Sequence, residues 1–144
     1  MKLAKIKKSD MQILIVERQK YWGEFATDAL LAAGFSVRTL DRYDYCALDD
    51  CVHQETPDLV VLGCAGVEPD DQEMIQQVLQ LRCHLLVFCT APPWEVMHSL
   101  FRAGASDVVD KPYDSDHLVS IVAQTLKSVL PQNYYQAVAQ QHLA

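Results

Sequence analysis

The chain has 144 residues, of which 50% are hydrophobic and 22% charged, and it carries a formal net charge of -7. That size and balance suit one compact domain and exclude a disordered chain. The acidic excess argues against nucleic acid as a partner, because a phosphate backbone demands clustered Lys and Arg.

Residues 1–10 form a basic tail with Lys2, Lys5, Lys7 and Lys8, read as a solvated segment. The apolar run 11–16 is too short for a secretory core and is closed at once by Glu17 and Arg18. No stretch approaches the roughly 20 apolar residues that span a bilayer. The chain is therefore expected in the cytoplasm, with no membrane partner.

Residues 13–16 are predicted as the first strand. A helix over 19–33 follows, with Tyr21, Phe25, Ala29 and Ala32 at helical spacing and Gly34 as its C-terminal stop. Residues 36–40 read as a second strand and 43–54 as a weaker helix. The third strand, 59–62, leads to a helix over 70–81 that opens on acids and carries Met74, Ile75, Val78 and Leu81. The fourth strand, 85–89, precedes a helix over 93–103 with a proline in its first turn and Gly104 at its end. A short fifth strand, 107–109, precedes a helix over 114–130, capped by Asp114 or Ser115 and carrying Leu118, Val122 and Leu126. Residues 11–130 make the domain. Residues 131–144, with Tyr134, Tyr135 and Val138, are an extension long enough for a short helix.

Strand alternates with helix five times, and three of the strands are nearly continuous apolar runs. This predicts an α/β fold whose parallel sheet is covered on both faces. In such sheets the working site lies at the carboxyl ends of the strands, so the residues just after each strand are the ones to weigh. Five cysteines at irregular spacing (Cys46, Cys51, Cys64, Cys83, Cys89) are neither a disulfide framework nor a zinc motif. They read as free thiols of a reducing compartment.

Five segments carry a resemblance: Ile13-Leu-Ile-Val-Glu17, Pro57-Asp-Leu-Val-Val-Leu62, Leu86-Val-Phe-Cys-Thr90-Ala91, Ala103-Gly-Ala-Ser-Asp107 and Asp110-Lys-Pro-Tyr113. In this order the chain resembles the receiver domains of bacterial two-component response regulators. The resemblance implies a doubly wound, flavodoxin-like, five-stranded parallel sheet of order 2-1-3-4-5. It also implies phosphoryl transfer to an aspartate ending the third strand. An acidic pair after the first strand would help to hold Mg²⁺, and a Thr or Ser and a Lys after the fourth and fifth would bind the phosphoryl group.

The chain departs from that pattern at two points. Gly63 stands at the phosphoacceptor position and has no side chain to phosphorylate. The acidic pair has become Glu17-Arg18, and a guanidinium cannot ligate a cation. No metal or cofactor and no enzyme activity are therefore expected. Thr90 and Lys111 match the family. Either they still hold an anion, or Lys111 is scaffold paired to Glu17; the frequency of structural ion pairs at such sites favours the second. Arg18 is expected to take the vacated metal position and to pair with Glu17 or with an acid after the third strand. Asp110 should point away from the site. A redox role for Cys64 and Cys89, which follow adjacent strands, is disfavoured, since little there lowers a thiol pKa.

The helix over 93–103 carries two apolar stripes. Val96, Leu100 and Ala103 should face the sheet, and Trp94, Met97 and Phe101 a neighbouring surface. By the resemblance, Val108 and Ile121 join Trp94, Met97 and Phe101 on the face where receivers meet their partners. Together they would form an exposed apolar patch, buried by a homodimer or another protein rather than by the C-terminal extension. The expected function is a phosphorylation-independent signalling module acting through a kinase, regulator or effector. The alternatives are a flavodoxin-like small-molecule domain, disfavoured because no glycine-rich loop follows the first strand, and an unconventional phosphoreceiver.

Overall fold

The computed structural model describes residues 8–143, with side chains through Val129. Expectations for Lys2, Lys5 and Lys7, and for Tyr134, Tyr135 and Val138 as a cover, lie outside the described residues and side chains. After a 3₁₀ turn at Lys8–Asp10, five strands alternate with five helices. They are β1 (Gln12–Glu17), α1 (Lys20–Ala32), β2 (Ser36–Thr39), α2 (Tyr45–Gln54), β3 (Leu59–Cys64), α3 (Pro69–Gln80), β4 (Leu85–Cys89), α4 (Trp94–Ala103), β5 (Asp107–Asp110) and α5 (Ser115–Leu143). The sheet is parallel throughout, in the order β2-β1-β3-β4-β5.

The central strands β3 and β4 are buried at every residue, which explains why they read as unbroken apolar runs. Alternate side chains feed two cores. One joins Leu14, Val60, Leu62 and Val87 to Leu48, Met74, Ile75 and Leu100 of α2, α3 and α4. The other joins Ile13, Ile15, Val61 and Phe88 to Trp22, Leu30, Leu118 and Val122 of α1 and α5.

Local signals set the helix ends. Asp44 accepts the Ala47 N–H (2.8 Å) at the start of α2. At the end of α1 the Phe35 N–H reaches the Leu30 carbonyl (3.1 Å) and the Gly34 N–H the Leu31 carbonyl (3.0 Å). Gly34 takes φ +99°, a left-handed turn that suits a residue without Cβ.

Two expectations for the helices need correction. The inward face of α1 is Trp22, Ala26, Ala29 and Leu30, whereas Tyr21 is 85% exposed. Both stripes obey helical spacing; tertiary contacts of Trp22 decide the phase. The last helix also continues past Pro131 to Leu143 in one run. The expected end at 130 falls just before Pro131, a residue that lacks a backbone donor and crowds the preceding turn, yet the helix runs on through it.

Candidate functional site

The sheet order brings the carboxyl ends of β1, β3, β4 and β5 side by side. Glu17 is the register partner of Gly63, so a side chain at either position would rise from the same face. Lys111 follows β5 and returns to that face.

Glu17 and Lys111 form the centre. Each side chain is only 2% exposed, and Lys111 Nζ lies 3.1 Å from Glu17 Oε2. Glu17 Oε1 accepts the Gln19 N–H (2.9 Å). Oε2 meets the ammonium as an ion pair but receives no well-aligned hydrogen bond among the described residues. Lys111 Nζ also donates to Gln19 Oε1 (3.3 Å) and sits 5.0 Å from the centroid of the Trp22 ring. Trp22 is itself fixed, with Nε1–H donating to the Pro112 carbonyl (3.2 Å) and its ring 5.3 Å from that of Phe88. Of the two readings of Lys111, the structure contains the ion pair with Glu17. A buried ammonium without a partner would be strongly destabilising, which gives the pair its reason.

Gly63 lies directly under this carboxylate. A Cβ there would stand 1.9 Å from Glu17 Oε2 and 2.9 Å from Trp22 Cζ3. Residue 63 therefore lacks both an acceptor group and the room for one while Glu17 holds its present position.

Arg18 turns to the other side. Its Nη2 lies 3.2 Å from Asp71 Oδ1 and 3.8 Å from Asp70 Oδ2, and its Cζ stacks 4.8 Å from the Tyr43 ring centroid. Asp71 is the hub of this second cluster. It also accepts the Tyr43 hydroxyl (2.6 Å) and, through Oδ2, the Glu68 N–H (3.0 Å) at the start of α3. Burial first, and then the bond to Asp71, push the Tyr43 phenol well above its ordinary pKa. Arg18 thus pairs with acids after β3 rather than with Glu17.

These donors do not fit Mg²⁺. Glu17 is committed to Lys111, Arg18 is a cation, and Asp71 is held by Arg18 and Tyr43. No group of three or more His, Cys, Asp or Glu side chains among the described residues is placed to hold a metal ion.

Thr90 is exposed at the end of β4. Beside it, Ala91 takes φ +42°, and its N–H donates to Asp110 Oδ1 (2.7 Å), so Asp110 ties the loop after β4 to the end of β5. Cys64 and Cys89 are register partners, both buried. Burial raises the pKa of both thiols, which keeps them protonated and poorly nucleophilic.

The expected exposed patch of five residues is corrected. Trp94 is 71% and Phe101 44% exposed, with His98 stacked on Trp94 at 5.1 Å. Met97 is half-buried against the core beneath α4, Ile121 is half-buried against the opposite core, and Val108 is 1% exposed. Strand alternation turns Val108 inward under α4, so it supports the surface without presenting itself. Ala103 is exposed rather than facing the sheet. Sequence reasoning gave no site role to Gln19, Trp22 and Tyr43, and did not separate Asp71 from the other acids after β3. The stripe Trp22-Ala26-Ala29 was available as a signal, whereas nothing local joins Tyr43 to Asp71.

No family model matches the sequence, and no curated protein matches it significantly. Solved structures do match in fold. NtrX from Brucella abortus, solved in complex with ADP, superposes with a TM-score of 0.75 at 17% identity over 92% of this chain. HP1043, described as an orphan response regulator of H. pylori, superposes at 0.69 with 20% identity over 83% of this chain and 98% of its own. The signal receiver domain of a LuxO repressor protein from Vibrio parahaemolyticus gives 0.70 at 16% identity, covering 85% of this chain and 95% of that one. The chain spans only 30% of the length of the NtrX chain. No helix among the described residues is long and apolar enough to cross a membrane. Sheet order, helix placement and these superpositions together establish that the chain adopts the receiver fold.

Proposed function

We propose that this chain is a receiver-fold signalling module that acts through protein contacts and takes no phosphoryl group. One observation carries the reading: at the end of β3 stands a glycine, and the space above it holds a carboxylate already neutralised by Lys111. Phosphoryl transfer needs a nucleophile and a cation that neutralises the phosphoryl oxygens. Gly63 removes the first, and Arg18 and the committed Glu17 remove the seat of the second. The reading assigns the chain no enzyme activity and a place in a bacterial two-component-type pathway, opposite a kinase, regulator or effector.

The contact surface we assign is the exposed side of α4, with Trp94 and Phe101 at its centre and Met97 and Val108 packed beneath it, while Ile121 lies against the opposite core. Aromatic anchors of this kind dominate interface energetics. The net charge of -7 argues against nucleic acid as the occupant; the exposed aromatics suit a protein partner or a second copy. Sedimentation analysis tests this half of the proposal. Phe101→Glu is expected to weaken self-association, or binding to a cognate partner, by roughly tenfold or more. An unchanged mass and unchanged partner affinity would remove this surface from the account.

A further inference from the structure

Lys111 brings a positive charge into a site where it is almost fully shielded from water, so a counter-charge must be supplied from within. Two neighbouring strands are positioned to supply it. Residue 63 on β3 and residue 17 on β1 are register partners on one face. They compete for a single volume, because a Cβ on residue 63 would overlap Glu17 Oε2 at 1.9 Å and press on Glu17 Cδ at 3.0 Å. Trp22 closes the third side and is held by the Pro112 carbonyl and by Phe88, so it cannot swing clear without losing both. Beside the stem of Glu17 stands Gly23, which has no side chain, and even a Cβ there would make only an ordinary contact, 3.5 Å from Glu17 Cβ and Cγ.

From this competition we infer that the space over Gly63 is a single-carboxylate seat facing Lys111, occupied by Glu17 as an internal ligand. The carboxylate comes from β1 because β3 supplies none. While Glu17 is seated, no external anion reaches Lys111. With its side chain removed, the seat accepts a small carboxylate from solution. The inference deepens the phosphate-independent reading and rests on it: the same exchange that deletes the acceptor fills its place.

Two features are expected of the seat. Glu17→Ala leaves a hole the size of a carboxylate beside an unpaired ammonium. Sodium formate or acetate should raise the melting temperature of that variant saturably, by about 5 °C. Sodium chloride at equal ionic strength should not, and neither carboxylate should act specifically on the wild type or on Glu17→Ala/Lys111→Met. Second, Gly63→Asp should lower the melting temperature of the wild type far more than that of Glu17→Ala, because without the Glu17 side chain only the 2.9 Å approach to Trp22 Cζ3 remains to be relieved and the new carboxylate faces Lys111. If Glu17→Ala does not fold on its own, sodium formate or acetate added during refolding should restore it and sodium chloride should not; failure of both carboxylates to do so would also overturn the inference. The inference is overturned if Gly63→Asp has the same effect in both backgrounds, or if formate and acetate do no more than chloride. Uptake of a phosphoryl group by the wild type would be a different failure. It would end the phosphate-independent reading while the competition between positions 17 and 63 could still be measured.

Discussion

Asp71 shows how a single side chain joins sequence-distant parts of the rim. It is 4% exposed and gathers Arg18 from the end of β1, Tyr43 from the loop before α2 and the Glu68 N–H of its own helix. Asp71→Ala leaves Tyr43 and Glu68 without their acceptor and Arg18 without its nearer acid. It should cost about 1–3 kcal/mol in urea unfolding. The tyrosines add a pH signature. Tyr45 donates to Glu73, and this bond raises its pKa to about 12. Tyr43 is raised as well, chiefly by burial. A phenol whose folded pKa lies above its unfolded value stabilises the fold below the unfolded pKa, about 10, and that contribution is lost as pH climbs through the folded value. Stability should therefore fall from about pH 10 upward, and Tyr43→Phe/Tyr45→Phe should flatten the decline. Some of this was legible in sequence. Gly63 and Arg18 stood out because they break a motif, and an acid after the third strand was the expected partner of Arg18. Asp71 could not be told apart in sequence from its neighbours Glu68 and Asp70, because its role depends on a tyrosine 28 positions away.

At the scale of elements, the strands were the most legible part; in β3 and β4 burial on both faces writes itself as an unbroken apolar run. Observed ends differ from the expected ones by no more than two residues. The phase of α1 was not legible. Tyr21-Phe25 and Trp22-Ala26 both satisfy the helical period, and the choice is made by Pro112 and Phe88, far along the chain. The end of α1 was legible through glycine. A Cβ at Gly34 would make only an ordinary contact with Lys8 Cβ at 3.8 Å, so the cost of Gly34→Ala is backbone strain alone. About 1 kcal/mol should be lost in thermal or urea unfolding, with the fold intact. Thiol accessibility follows the same layering. Cys46 is exposed, whereas Cys64, Cys83 and Cys89 are buried. A thiol reagent should label Cys46 rapidly under native conditions. Cys64 and Cys89 should react only at the rate of unfolding; fast native labelling of either would contradict the burial described here.

For the whole molecule, alternation of strand and helix was enough to give the layer architecture, and the superposed structures agree with it. The site was partly legible for a related reason. Parallel α/β sheets collect their strand ends at one rim, so the residues after each strand, Glu17, Arg18, Gly63, Thr90 and Lys111, group together in sequence. What the sequence did not convey was that Glu17 lies across Gly63, which needs the β1–β3 register. The partner surface was only half legible, because side-chain burial at Val108 and Met97 depends on how α4 settles over β5. The central claim, that this receiver fold works without phosphate, is tested most directly by intact-protein mass spectrometry. The wild type would be incubated with a small acyl-phosphate donor and excess Mg²⁺. The account predicts an unchanged mass; a hydroxylamine-labile gain of one phosphoryl group would contradict it.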